Sequence, residues 1–362
     1  MSFSKYHHQL LVKNLIEVSG IEETYLILAE ANHQNKHEWL FDFYEHLPKS
    51  KISPERLDQL YYLYNSAESR ELPNNWDYLL NYQAIESEVI SKITEIIVIK
   101  SKVNINYATS LFNLFNHFSE VNKEIAIHFA GKTGLLKQVY LLWLNTYQNG
   151  DHDGSNFDYF LDQDSNFIVE YIDWMYKKKK WVSRHDDHRN YSFIWKRDDY
   201  HEIMIKAAER IFQHEKGDYP YSFFHVFFGV KEENHELQKI TSRKKEFLMQ
   251  LIEDRYSNVK FMRFVFGLIS ILSEDDRPSL ISRYTCLNNN FEDFEQLSLE
   301  PSSRSWSGSA VPMHQRRVDF LQTLIPLFNT VSLLEHKHYI EQKIKNIRDE
   351  IEREKKRDFM DG

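Results

Sequence analysis

Cysteine is nearly missing from this sequence: one residue, Cys286, in 362. A single thiol excludes an internal disulfide framework and every zinc site built on several cysteines. Glycine and proline are scarce, at 10 and 8 residues, below the roughly 7% and 5% of ordinary proteins. Tight hairpin turns and phosphate-cradling loops consume those residue types, which argues against a large sheet protein and a glycine-rich nucleotide fold. Long hydrophobic runs are missing as well. The longest, Phe264 to Leu272, is about half of what a membrane span requires. There is no cationic excess: 45 Lys and Arg stand against 54 Asp and Glu, for a net charge of −9. That balance argues against general affinity for DNA or RNA. With no apolar leader near Met1, the chain is expected to stay in a reducing cytoplasm.

What the sequence does have is aromatic bulk, 25 Phe, 21 Tyr and 7 Trp, far more than a disordered chain carries. Apolar positions recur at helical spacing almost throughout, as in Leu11, Leu15 and Val18, or Leu111, Leu114, Phe115 and Phe118. Val265, Leu268, Ile269 and Leu272 repeat the pattern. Ser53-Pro54-Glu55 reads as a cap residue, a proline and an acid opening a helix. Asn74 and Asp275 are further expected caps, and Gly20, Gly150, Gly217, Pro48 and Pro73 are expected stops.

Helix plus turn takes about 18 residues, so a helix pair takes about 36, the length of a helical-hairpin repeat. No strict repeat is visible. Similar aromatic-and-leucine segments recur at Trp39–Pro48, Asn75–Tyr82 and Val139–Tyr147, as packing between stacked helices demands. Ile340, Ile344, Ile347 and Ile351 form a 4-3-4 seam expected to dock on Val318–Phe328. Glu341/Lys345 and Glu352/Lys356 are expected to pair along its wet face. Irregular segments are expected at Gly150–Asn156, Lys177–Tyr191 and Asn288–Pro312.

Candidate chemistry is sparse. Gly131-Lys132-Thr133 ends like a phosphate-binding loop, but Ala126 stands where the pattern needs its first glycine. The densest polar cluster is Arg184-His185-Asp186-Asp187-His188-Arg189. With His152-Asp153 it offers the His-Asp doublets of an all-α metal-dependent phosphohydrolase, since imidazole and carboxylate both ligate divalent metals. A salt-bridged, solvated turn explains the same residues. Lys177–Lys180 beside Trp181 could meet a phosphate backbone, or simply complement a helix C-terminus. Cys286 reads as an inert core residue.

Two stretches, "SRHDDHRNYSFIWKRDDYHEIM" from Ser183 to Met204 and "SWSGSAVPMHQRRVDFLQTLIPLFNTVSLLEHKHYIEQKIKNIRDEIEREKKRDF" from Ser305 to Phe359, resemble the C-terminal helical-repeat sensor regions of bacterial antiviral STAND NTPases of the Avs type. The resemblance implies recognition of a phage protein. It carries over no ATPase or effector activity, because this chain has neither a Walker-type loop nor an effector signature.

The sequence therefore predicts an all-α chain, an elongated α-solenoid of degenerate TPR- or HEAT-like helix hairpins. Residues 1–150 form its first half, and residues 151–362, with a terminal capping helix, continue it. The expected activity is non-enzymatic binding of a protein partner, with no cofactor, metal, membrane or specific nucleic acid. Partner contact is expected at Trp181, Arg184, His185, His188, Arg189, Tyr191, Arg304 and Trp306, aromatics and cations in or beside irregular segments.

Overall fold

The computed structural model describes residues 5–66, 87–103, 128–146, 150–177, 191–216, 223–228, 234–269, 272–300 and 309–360. Among them all regular structure is helical, sixteen α-helices and four short 3₁₀ turns with no strand. The chain divides into two compact units. One comprises Met1–Asp151 with Ser155–Phe160, and the other comprises His152–Gly154 with Leu161–Gly362.

The first unit contains α1 (Lys5–Ser19), α2 (Ile21–Glu30), α3 (Lys36–His46), α4 (Pro54–Ser66), α5 (Ser87–Val103), α6 (Thr133–Thr146) and the first part of α7 (Ser155–Gln163). Gly20 adopts φ 79°, which ends α1 and lets α2 start at once. Pro48 stops α3 as expected, with Leu47 before it held extended. Ser53 caps α4, accepting a bond from the Arg56 amide at 3.4 Å. The same hydroxyl, bonded to Glu55, holds that carboxyl below its usual range. Gly131-Lys132 is a turn before α6, and Lys132 pairs with Glu95 at 3.0 Å.

Core side chains of this unit include Val12, Leu28, Phe43, Leu60, Ile93 and Val139, all buried. Asp151 fixes the end of the unit. It takes the left-handed conformation, φ 56°, which Asp tolerates better than most residues. Its buried carboxylate accepts four bonds: Tyr140 Oη at 2.6 Å, and the Asn156 amide, the Asn156 side chain and the Phe157 amide at 2.9 Å each. Two of these are first-turn donors of α7 that no carbonyl of the helix can reach. Burial pushes the Asp151 carboxyl above its usual range, and the four donors pull it back.

In the second unit follow α8 (Phe167–Lys177), α9 (Ser192–Lys196), α10 (Tyr200–Glu215), a 3₁₀ turn at Phe223–Phe228, α11 (Asn234–Arg255), α12 (Val259–Ile269) and α13 (Arg277–Leu287). Then come α14 (Phe291–Phe294), α15 (Val311–Leu324), 3₁₀ turns at Ile325–Phe328 and Val331–Leu333, and α16 (Leu334–Met360). Three helix pairs run parallel, because their polar partners advance together. On α8 and α10, Ser165 meets Glu202 just ahead of the helix, Asp173 meets Arg210, and Tyr176 meets Glu215. On α10 and α11, Tyr200 lies under Arg243 and Glu209 pairs with Arg255. On α11 and α13, Lys245 pairs with Asp276 and Glu253 with Arg283.

The isoleucine seam of α16 is buried at all four positions, and α15 packs along it, with His314 beside Glu350 at 3.5 Å. Four expectations are corrected. Lys355, not Lys356, reaches Glu352, and Arg357 takes Glu354, both at i,i+3, the other spacing that places residues on one helical face. Cys286 is exposed, because the buried face of α13 is Leu280, Ile281, Tyr284 and Thr285. Asp276, not Asp275, stands before α13, and its carboxylate bonds Ser273 and Lys245 in place of the helix amides. Asn288–Pro312 is partly helical: Asn290 caps α14 by accepting from the Glu292 and Asp293 amides, and α15 starts at Val311. Asn74, Pro73, Gly217, Asn75–Tyr82 and Leu111–Phe118 lie outside the described residues.

Replacing Asp151 with Ala strands four buried donor groups and should cost about 3 kcal/mol or more. Asp151→Asn, which keeps one acceptor oxygen, should cost less. Urea denaturation of both variants measures the difference.

Candidate recognition groove

The second unit is organised around α11, whose two faces do different things. Its inner face carries Phe247, Leu248, Leu251 and Ile252, all buried. Above them sits Trp195 of α9, fully buried among Phe228, Phe247 and Tyr200 at ring separations of 5.1 to 5.9 Å. Its indole donates to the Phe227 carbonyl at 2.7 Å.

Two cations of α11 reach the same place. Arg243 donates to the carbonyls of Trp195 and Arg197, at 2.7 and 2.8 Å. Lys244 donates to the Phe228 carbonyl at 2.5 Å. These carbonyls belong to the last turns of short helical segments, where no further amide of the segment can satisfy them. Arg197 also pairs with Asp162 and Asp199, at 2.7 Å each. Its guanidinium, bonded to Asp199, holds that carboxyl below the usual range.

The outer face of α11 lines a groove of about 900 Å³. Gln238, Ser242, Lys245, Met249 and Glu253 succeed one another along the helix, with Thr241, Glu246 and Gln250 beside them and Asp276 as the opposing wall. The charges are largely cross-paired, Lys245 with Asp276 at 2.9 Å and Glu253 with Arg283 at 2.8 Å. Asp276 is held below its usual range by the Ser273 hydroxyl and then by Lys245. Beside its paired charges the groove thus presents the exposed Glu246 carboxylate, amides, hydroxyls and one thioether.

A second polar cluster joins the last turns of α8 and α10. Arg210 grips both oxygens of Asp173, at 2.5 and 2.7 Å, and His214 Nε2 lies 2.8 Å from the same carboxylate. The Arg210 bonds hold the Asp173 carboxyl well below its usual range. His214 stacks on Tyr176 at 4.3 Å, and Tyr176 donates to Glu215 at 2.6 Å. Sequence reading missed this cluster, although Arg210 and His214 at i,i+4 were a visible signal of one shared partner.

Of the residues expected to touch a partner, Trp181, Arg184, His185, His188, Arg189, Arg304 and Trp306 lie outside the described residues, as do Asp186 and Lys178 to Lys180. Tyr191 is described and is withdrawn from that set. It is 2% exposed, its hydroxyl lies 2.6 Å from the Tyr171 hydroxyl, and its ring packs on Phe227. His152 and Asp153 are exposed in the turn before α7. Among the described residues, no group of three or more His, Cys, Asp or Glu is placed to hold a metal ion. No helix among them is long and apolar enough to cross a membrane.

Burial pushes the Lys244 ammonium down to about 8 from an ordinary 10.5. Between those values the unfolded chain keeps a proton that the folded chain has released. Folding stability should therefore rise as pH goes from 8 to 10, by up to about 1.4 kcal/mol per unit. Lys244→Met should remove that slope, as read from urea midpoints at pH 7.5, 8.5 and 9.5. Compared with family models, with curated proteins and with solved structures, the chain matches none.

Proposed function

We propose that this chain is a non-enzymatic binding module that recognises another protein through the outer face of α11. The groove along that helix carries the reading. Its lining follows helical periodicity over four turns, three of its four charged side chains are engaged in ion pairs, and Met249 lies among its polar residues. An adaptable thioether ringed by hydrogen-bonding side chains is suited to a protein surface, because exact pairing of charges is not demanded of the partner.

The finer architecture in this proposal is a degenerate α-solenoid within each unit. It is supported by a group of polar contacts between helices that link residues 34 to 37 apart in the first unit, beside shorter ones such as Tyr44 with Gln59. In the second unit the separations between helices run from 30 to 48. Stacked helix hairpins bring equivalent helices side by side at such intervals, in parallel. Within the proposal the partner is a phage protein met in the cytoplasm, as the resemblance of Ser183–Met204 and Ser305–Phe359 to antiviral sensor regions implies.

Affinity capture with the intact chain, from phage-infected and uninfected bacteria, tests this. A phage-encoded protein should be enriched from infected cells only and should rebind once purified. Thr241→Arg with Met249→Arg should weaken that rebinding by about tenfold or more, with unchanged helical circular dichroism. Undiminished rebinding would move the contact away from α11, and R184A/R189A/W306A then asks whether the loops hold it. Enrichment of nothing from infected cells would sink the proposal.

A further inference from the structure

His336, in the first turn of α16, is fully buried, and neither of its ring nitrogens has a hydrogen-bond partner. Its ring is caged by Phe294 at 4.5 Å, Phe291 at 5.7 Å and Phe328 at 6.0 Å. Tyr339 closes the cage by packing on Phe291 and Phe294, and its hydroxyl bonds the Glu295 carbonyl at 3.2 Å. Such a cage tolerates a neutral imidazole at the cost of two unpaired ring nitrogens and holds an imidazolium far worse, since a buried charge needs a partner. The ring also lies at the helix end whose dipole opposes a cation.

The charged groups of the surrounding elements offer no rescue. On α14, Asp293 is bonded to Asn288 and Glu292 is exposed, and Glu295 follows at the surface. On α15, Asp319 is bonded to Gln315 and Arg317 to Glu300. The turns from Ile325 to Leu333 contain no titratable side chain. On α16 itself Glu335 and His338 are exposed, Lys337 lies beside them, and Lys343 pairs with Glu300. Burial holds the His336 imidazole below its ordinary range, with Glu335 pulling the other way. Water is nevertheless close, because Leu334 is 54% exposed two residues before the ring.

We infer that His336 is an acid-sensitive latch: protonating its ring expels it from the Phe291–Phe294–Phe328 cage and frees the start of α16. The sign follows from linkage. The open form titrates near the ordinary imidazole value of about 6.5 and binds the proton that the closed form refuses. Docking of α16 is therefore at full strength above that value and weakens as pH falls below it. One pH unit below, opening is favoured by about tenfold.

Hydrogen exchange over residues 334–347 of the intact chain, at pH 7.5 and 5.5 and corrected for intrinsic rates, reads this directly. Protection in the wild type should fall by about tenfold at pH 5.5, while helices of the first unit hold theirs. His336→Phe, which completes the cage with a ring that cannot ionise, should abolish the fall. Should that variant fold poorly, the wild-type ring can be followed by NMR titration, where its protonation must coincide with the loss of protection. The same loss in His336→Phe, no loss in the wild type, or a ring that protonates near 6.5 while the helix stays protected would each overturn the latch.

Discussion

Cations seated on orphan carbonyls set the position of α11, and most of the second unit is arranged by that helix. Arg243 and Lys244 are neighbours in sequence, yet they reach three carbonyls on two other segments, at Trp195, Arg197 and Phe228. Each short segment has a negative end that would otherwise be stranded against apolar rings. The arrangement is costly for Lys244, whose charge is partly withdrawn from water. It yields direction in return. A packed Phe247 or Leu251 can slide along its neighbours, whereas a guanidinium bonded to two carbonyls cannot.

With its inner face held in this way, the outer face of α11 has a fixed register against α10 and α13. The ion pairs to Glu209, Asp276 and Glu253 are partly exposed, and such pairs contribute little stability individually. Their consequence is geometric, since they keep the groove walls at a set spacing while the aromatic layer beneath supplies cohesion.

Signals confined to one helix were readable in advance. The Ser53-Pro54-Glu55 start, the break at Gly20 and the Ile340–Ile351 seam each depend on residues a turn or two apart, and each is found where it was expected. Positions decided by distant partners were not readable. Asp151 looked unremarkable beside the His152-Asp153 doublet because its donors come from Asn156, Phe157 and Tyr140, which only the fold assembles. Tyr191 stood next to a polar run and read as exposed, but the pocket it fills is made by Tyr171 and Phe227. The groove was illegible for another reason: Gln238, Thr241 and Gln250 are what any solvated helix face displays, and concavity is a property of the neighbours.

The parallel ladder of helix contacts also bears on how the chain acquires its structure. Partners such as Lys92 and Asp58, or Arg210 and Asp173, are separated by 34 and 37 residues, so each closes a loop of modest entropy. Topologies dominated by such short-range closures fold quickly, and a segment can consolidate against its predecessor before later ones are in place. A nascent chain leaving the ribosome could therefore lay down its helices in order, each new one finding a finished surface to settle on.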